Sequence, residues 1–424
     1  MHAVLITLAL AISYDAPATS RVPPPQAATD IGGRLLREPS VSAAIDRIKR
    51  NEAQLLEEQI RLCEIAAPPF KETRRAEAFR QALQSQGLKN VRIDGAGNVL
   101  GERPGLAAHP HLVFSAHLDT VFGEEVSVKA SRDGSILKGP GISDDCRGLA
   151  VLLGVVRALE DGHIQTPGTI TFVGTVGEEG LGDLRGVKEL FNGELKGRID
   201  RFVSVDGAGL GITTVGVGVL RYRVTFKGRG GHSYGDFGIA NPTHALGRAI
   251  AQLADLKVPS QPKTTFNVGR TGGGTSVNSI ASEAWMEVDL RSSDGPALDD
   301  LDRRFRAAVD KAVADENQRW GGRSPVSATV ERTGARPTGG TPESDPLVIA
   351  TLALTRALGE SVTLAEGSTD SNVAMSRGVS AVTLGAGGIS RGAHSPDESF
   401  TTTGSAIGTE RALLALLAAA SGTP

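Results

Sequence analysis

Apolar positions recur along the chain with two different periods, and the change of period divides it. From Val41 to Glu64, Ile45, Ile48, Leu55, Leu56, Ile60 and Cys63 make a helical stripe that ends before Pro68-Pro69. A second helix is predicted over about Arg74–Gln86, stopped at Gly87. Short, nearly continuous apolar runs follow at Leu112–Ala116, Thr169–Val176, Phe202–Val205 and Ala381–Leu384, bounded by Gly, Pro and Asp. Helical stretches such as Gly148–Leu159 lie between some of them. Strands apolar on both faces and alternating with helices predict an α/β unit with a mainly parallel sheet covered on both sides.

The texture changes near Val215. Val219–Phe226 and Ala284–Leu290 alternate apolar with polar residues, as half-buried antiparallel strands do. Helices are predicted at about Pro242–Leu253 and Ala297–Arg319, the second with Leu298, Leu301, Phe305, Val309 and Val313 on one stripe. The α/β pattern resumes at Pro346–Leu358. The expected organisation is a signal-like segment and linker over 1–40, a first catalytic part over 41–214, an inserted α+β unit over 215–335, and a second catalytic part over 336–424.

The N-terminus adds one expectation. Ala3–Ile12 is continuously apolar, too short to span a bilayer but the right length for the core of an export signal, with small residues at Ala16-Pro17-Ala18. Thr19–Gly33, with Pro23-Pro24-Pro25 and no apolar period, reads as a linker. An exported, periplasmic or secreted chain is the reading preferred over an N-terminal extension of a cytoplasmic one. Lys+Arg number 45 and Asp+Glu 48, for a net charge of −3, which leaves no general electrostatic footprint for nucleic acid. Two cysteines, Cys63 and Cys146, are too few for a disulfide scaffold.

The chemistry lies where acids and histidines fall relative to the strands. The first run is followed at once by His117-Leu118-Asp119, the second by Gly177-Glu178-Glu179, the third by Asp206. Ligands of open α/β sheets bind at the carboxyl ends of strands, so these segments point at one crevice. Gly139-Pro140-Gly141-Ile142-Ser143-Asp144-Asp145 and Gly392-Ala393-His394-Ser395-Pro396-Asp397-Glu398 add a glycine turn and a loop. Several carboxylates gathered there would repel one another unless cations intervened. Two divalent metals meet the count: Asp144 as bridge, His117 and Asp206 on one ion, Glu179 and His394 on the other. Imidazole and carboxylate ligands suit zinc, and also cobalt or manganese. Glu178 is then placed as general base for a water between the metals, and Asp119 can accept the other ring N–H of His117. Asp145 reads as a helix cap or a supporting residue, not a ligand.

These segments closely resemble the co-catalytic zinc peptidase family that includes peptidase T, glutamate carboxypeptidase, aminoacylase and succinyl-diaminopimelate desuccinylase. The resemblance runs from about Val41 to Leu417, with a lean toward the peptidase-T-like branch. It implies a zinc-exopeptidase-like catalytic domain interrupted by a ferredoxin-like lid and dimerisation domain, and hence a homodimer. It implies cleavage of an amide bond in a small peptide or N-acyl amino acid, and it assigns the same metal ligands and base. In Gly231-His232-Ser233 it implies that His232 reaches a substrate oxygen, often across a dimer interface. Asn278 and Arg291 resemble the pair that binds the substrate carboxylate or carbonyl. One departure stands out: Cys146 and Arg147 occupy the place where a Lys is common, which makes Cys146 either a small helix-start residue or an oxidisable thiol.

Two rivals remain. Gly231-His232-Ser233-Tyr234-Gly235 fits a nucleophile elbow, with Asp370 and His394 following in hydrolase order, but Asp236–Asn241 intervenes where an elbow needs a helix. A metal-binding, non-catalytic relative is the other, and it would be expected to lack the base or a ligand. Gly207-Ala208-Gly209-Leu210-Gly211 and Gly272-Gly273-Gly274 lack the residues that complete a nucleotide loop.

Overall fold

The structure is a computed structural model that describes residues 26–421; the expected export segment and the Pro23-Pro24-Pro25 run lie outside them. Among the described residues a nine-stranded mixed sheet forms the centre. The strands Ile170–Thr175, Leu112–His117, Arg201–Val205 and Ser380–Leu384 are consecutive neighbours and all parallel. Their fully apolar runs follow from burial on both faces. Leu112, Phe114, Ala116, Val203 and Leu384 join the core under the helices Pro39–Cys63, Cys146–Asp161, Pro346–Ala357 and Ala406–Ala420. Val113, Val173, Phe202 and Ala381 point the other way, onto Val187, Leu190 and Met375. This is the α/β, mainly parallel architecture that the hydrophobic pattern predicts. No helix among the described residues is long and apolar enough to cross a membrane.

One expectation is corrected. A helix, Gln26–Arg37, occupies the second half of the stretch read as linker. Ile31 is buried, and a Cβ on Gly32 would stand 3.3 Å from that of Ala357, so the helix packs closely on Pro346–Ala357. A short apolar patch interrupted by Gly32-Gly33 hides this helix from a periodicity argument.

The second sheet has four antiparallel strands in the order Thr264–Gly273, Glu283–Ser292, Gly218–Lys227, Ser327–Arg336. The helices Pro242–Ala254 and Gly295–Arg319 cover one face, onto which Leu220, Tyr222, Val224, Phe226, Met286 and Leu290 point. Alternation turns Arg221, Arg223, Asp289 and Arg291 to the other face. The chain enters this sheet just after Gly216 and returns to pair Gly339 with that same Gly216. A small sheet of Ile389–Arg391, Ser399–Thr401, Ile136–Lys138 and Ser131–Asp133 joins the His394 loop to the Asp144 turn, a pairing no local pattern announces.

Candidate metal centre

Parallel strands end on the same edge of a sheet, and here three of them deliver their acids and histidine together. His117 closes its strand, Glu178 and Glu179 follow Ile170–Thr175 after a tight turn, and Asp206 follows Arg201–Val205. Gly177 makes that turn possible: its φ is +67°, and a Cβ there would meet the Arg185 Cγ at 2.8 Å. Asp144 comes in on the turn before Cys146–Asp161, and His394, itself at φ 64°, on the loop between the two short strands.

Asp144 stands between the two imidazoles. Its Oδ1 is 2.9 Å from His117 Nε2, and its Oδ2 is 3.0 Å from His394 Nε2. Asp206 Oδ1 lies 3.7 Å from His117 Nε2 on one side, and Glu179 Oε1 lies 3.1 Å from His394 Nε2 on the other. The five expected ligands are therefore brought together, with one carboxylate shared between two half-sites. Burial alone would lower the pKa of His117, but the carboxylates of Asp119, Asp144 and Asp206 outweigh it and hold the ring well above its ordinary value. Hydrogen bonds to Asp144 and Glu179 raise His394 to about 10. A donor cluster that draws protons this strongly onto two imidazoles is a cluster that calls for cations. Its mixture of imidazole nitrogen and carboxylate oxygen fits divalent metal.

The supporting contacts differ from expectation in one atom. His117 Nδ1 hydrogen-bonds the backbone carbonyl of Asp119 at 3.0 Å, while the nearer Asp119 carboxylate oxygen is 3.7 Å away. That carboxylate instead accepts from the amides of Glu178 at 3.0 Å and Glu179 at 2.8 Å. Asp119 thus fixes the tautomer of His117 with its main chain and the turn at Glu178-Glu179 with its side chain. Asp145 lies within ligand distance of His117 and Asp206, yet both its oxygens are engaged, by Gly148 N and His117 N at 3.0 Å each. It caps the helix, as the sequence suggests.

Three residues escaped sequence reasoning. Arg336, only 4% exposed, places Nη1 3.1 Å from Glu178 Oε1 and donates from Nη2 to the Glu178 carbonyl. Desolvation pushes the pKa of Glu178 well above the carboxylate range, against the opposing pull of this guanidinium. Glu398, fully buried, accepts from Gly141 N, Ser143 N, Asp144 N and the Ser143 hydroxyl. Arg221 shares Asp289 with Arg291. A four-residue spacing from His394 could have drawn attention to Glu398; nothing local marks the two arginines.

The crevice has a volume of about 340 Å³. Asp144, Glu178, Glu179, Asp206 and His394 line it from the central sheet, with Arg221, Arg291 and Arg336 from the inserted one. His232 and Asn278 are not brought there. They lie beside each other, Ser233 N donating to Asn278 O at 2.9 Å, past the Lys227 end of the inserted sheet. Arg291 pairs with Val219 at the other end, about 26 Å away along an extended strand. The serine-hydrolase constellation is not assembled either. Ser233 is followed by turns and not by a helix, Asp370 is buried against Thr175, and His394 is committed to Asp144 and Glu179.

A family model described as "Peptidase family M20/M25/M40" matches residues 113–419. A Bacillus subtilis protein named "Uncharacterized protein YqjE" is 27% identical over 294 residues, 66% of this chain and 76% of that protein. A tripeptidase from Staphylococcus aureus superposes with a TM-score of 0.72 at 23% identity, covering 87% of this chain and 99% of that one. A Bacillus subtilis protein described as a dinuclear metal binding peptidase has a TM-score of 0.64 at 16% identity, covering 88% and 98%. At these identities the structural likeness speaks for the fold alone. The family match spans well over half of the 424 residues and takes in all five candidate ligands: the chain belongs to peptidase family M20/M25/M40.

Proposed function

We propose that this hydrolase of amide or peptide bonds works with two divalent metal ions, zinc or else cobalt or manganese, on small peptides or N-acylated amino acids. The observation that carries the reading is the shared carboxylate of Asp144, faced on one oxygen by His117 and on the other by His394. His117 and Asp206 would hold one ion, and Glu179 and His394 the other. Bound there, such ions polarise a carbonyl and acidify water.

Glu178 supplies the proton transfer. It lines the crevice beside the ligands without facing either imidazole, and Arg336 holds its Oε1. Its other oxygen takes a proton from the attacking water and returns it to the departing amine. Desolvation, which raises its pKa, makes that carboxylate a better base than a solvated one. Arg291, steadied by Asp289 at 2.7 Å, presents a planar fork to a substrate carboxylate. Asp289 also steadies Arg221 at 3.1 Å, so the pair shares one counter-charge and keeps a positive excess on the substrate side.

His232 and Asn278 would act on a second copy. They lie about 26 Å from the Arg291 row by strand length, and Tyr234, Phe237 and Val277 around them are highly exposed. An apolar rim beside a substrate-binding histidine supports a homodimer through the inserted sheet, with His232 of the partner subunit completing the crevice.

The decisive experiment is Glu178→Ala with metal analysis. The variant is expected to bind metal as wild type does and to lose about 10²- to 10⁴-fold in kcat on a dipeptide and N-acetyl-amino-acid panel. Wild-type turnover with full metal would remove Glu178 from this role.

A further inference from the structure

Cys63 and Cys146 are the only cysteines of the 424 residues, 83 positions apart in sequence, and the fold puts them side by side. Cys63 ends the helix Pro39–Cys63 and Cys146 begins Cys146–Asp161. Both are fully buried, in one small apolar cluster with Leu56, Leu137, Ile142 and Phe400. The two thiols are close enough within this cluster for each to shift the other's pKa, and Cys63 Sγ donates to Pro140 O at 3.4 Å. Neither sulfur lines the crevice, so hydrolysis has no use for them. Packing alone does not call for sulfur at both places, since small apolar side chains would fill the same cluster.

We propose that Cys63 and Cys146 form an intramolecular disulfide, which ties the end of one core helix to the start of the next directly behind the Gly141–Asp144 turn. The inference stands apart from the metal reading and survives or fails without it. The reaction needs an oxidant, and a low-molecular-weight disulfide such as oxidised glutathione supplies it. One cysteine displaces half of the reagent and forms a mixed disulfide, and the other cysteine then displaces the remaining half. The reagent's S–S bond is broken and the protein's is formed; two protons and two electrons pass from the protein thiols to two molecules of glutathione. Because both sulfurs are buried, closure belongs to the folding chain, before the cluster shuts. An exported chain would meet such oxidants as it folds.

The cross-link closes a long loop and so constrains the unfolded chain. The test is refolding of the reduced, full-length protein in a glutathione buffer rich in the oxidised form, followed by acid quench, unfolding and alkylation. Expected is a chain with no alkylated cysteine, two after reduction, and one peptide pair joined through Cys63 and Cys146. Its Tm should exceed that of the reduced protein by about 4 °C, a difference absent from the Cys63→Ala, Cys146→Ala double variant. Two alkylated thiols without prior reduction, or glutathione left on a single cysteine, would overturn the proposal. The mass measurement needs only the wild-type chain, so a poorly folding variant does not blunt it.

Discussion

Removing the Glu398 side chain asks how much the Asp144 turn depends on a loop 254 residues away in sequence. Glu398 accepts four hydrogen bonds: Gly141 N at 3.0 Å, Ser143 N at 2.8 Å, Asp144 N at 3.2 Å and Ser143 Oγ at 2.5 Å. In Glu398→Ala the Ser143 hydroxyl can still turn to Ser390 Oγ, already 2.7 Å away. The three backbone donors have no such recourse. Each buried donor left unmet costs about 1–3 kcal/mol. Against that stands relief, because burial pushes the pKa of Glu398 above its ordinary value even with these donors in place. The balance is about 3–5 kcal/mol of lost stability. Glu398→Gln is milder, since three of the four contacts converge on Oε1 and only Gly141 N uses Oε2; about 1–2 kcal/mol is expected. Urea unfolding should be followed by far-UV circular dichroism, because both tryptophans, Trp285 and Trp320, lie in or beside the inserted unit and would report on the wrong half. Metal titration of the same variants should show an affinity lowered by about 10- to 100-fold in the Ala variant. An Ala variant within about 1 kcal/mol of wild type that still binds metal normally would refute the idea that Glu398 shapes the turn.

Further outcomes follow from single contacts. Gly177→Ala should lose about 1–2 kcal/mol, since φ +67° and the Arg185 side chain both oppose a Cβ, and it should lose turnover more steeply because Glu178 is the next residue; an unchanged Tm would contradict this. His111 is buried beside Thr171, and desolvation followed by Arg198 lowers its pKa below 6.5. The unfolded chain then takes up the proton first, so the stability this neutral ring provides is complete above pH 6.5 and erodes as pH falls. His111→Gln should flatten that part of the urea-stability profile between about pH 7.5 and about pH 5.5, the window set by the ordinary histidine pKa. Arg291→Lys should raise KM for substrates ending in a carboxylate with kcat little changed, because the planar fork is lost and the charge kept; an effect on kcat alone would move Arg291 away from binding.

Much of the centre was legible because parallel strands turn sequence order into spatial order. A histidine or acid placed just after an apolar run lands on the same edge as every other one so placed, which is why His117, Glu178, Glu179 and Asp206 could be read together. Arg291 is singled out only by the family resemblance, and its place on the open face of its strand follows from the two-residue period once the strand is seen. What escaped was held by long-range contacts. Arg336 ends an ordinary alternating strand and acquires its partner only when that strand docks near Glu178. Glu398 acts through a small sheet whose strands are three residues long, below what a pattern can register. Asp119 does meet the His117 ring, but through its carbonyl, because main-chain and side-chain acceptors on one residue look alike in sequence.

The two crossings between the sheets are neighbours: Gly216 leads out to Gly218, and Arg336 leads back to Gly339, which pairs with Gly216. The inserted unit is therefore a lever on a two-stranded neck. A turn of about 10° there would carry its Lys227 end, about 26 Å out, through roughly 5 Å. Arg336, beside the pivot, would barely move and would keep its hold on Glu178. Such mechanics would separate two jobs by radius: Glu178 stays held at the hub while the outer residues sweep through the larger arc.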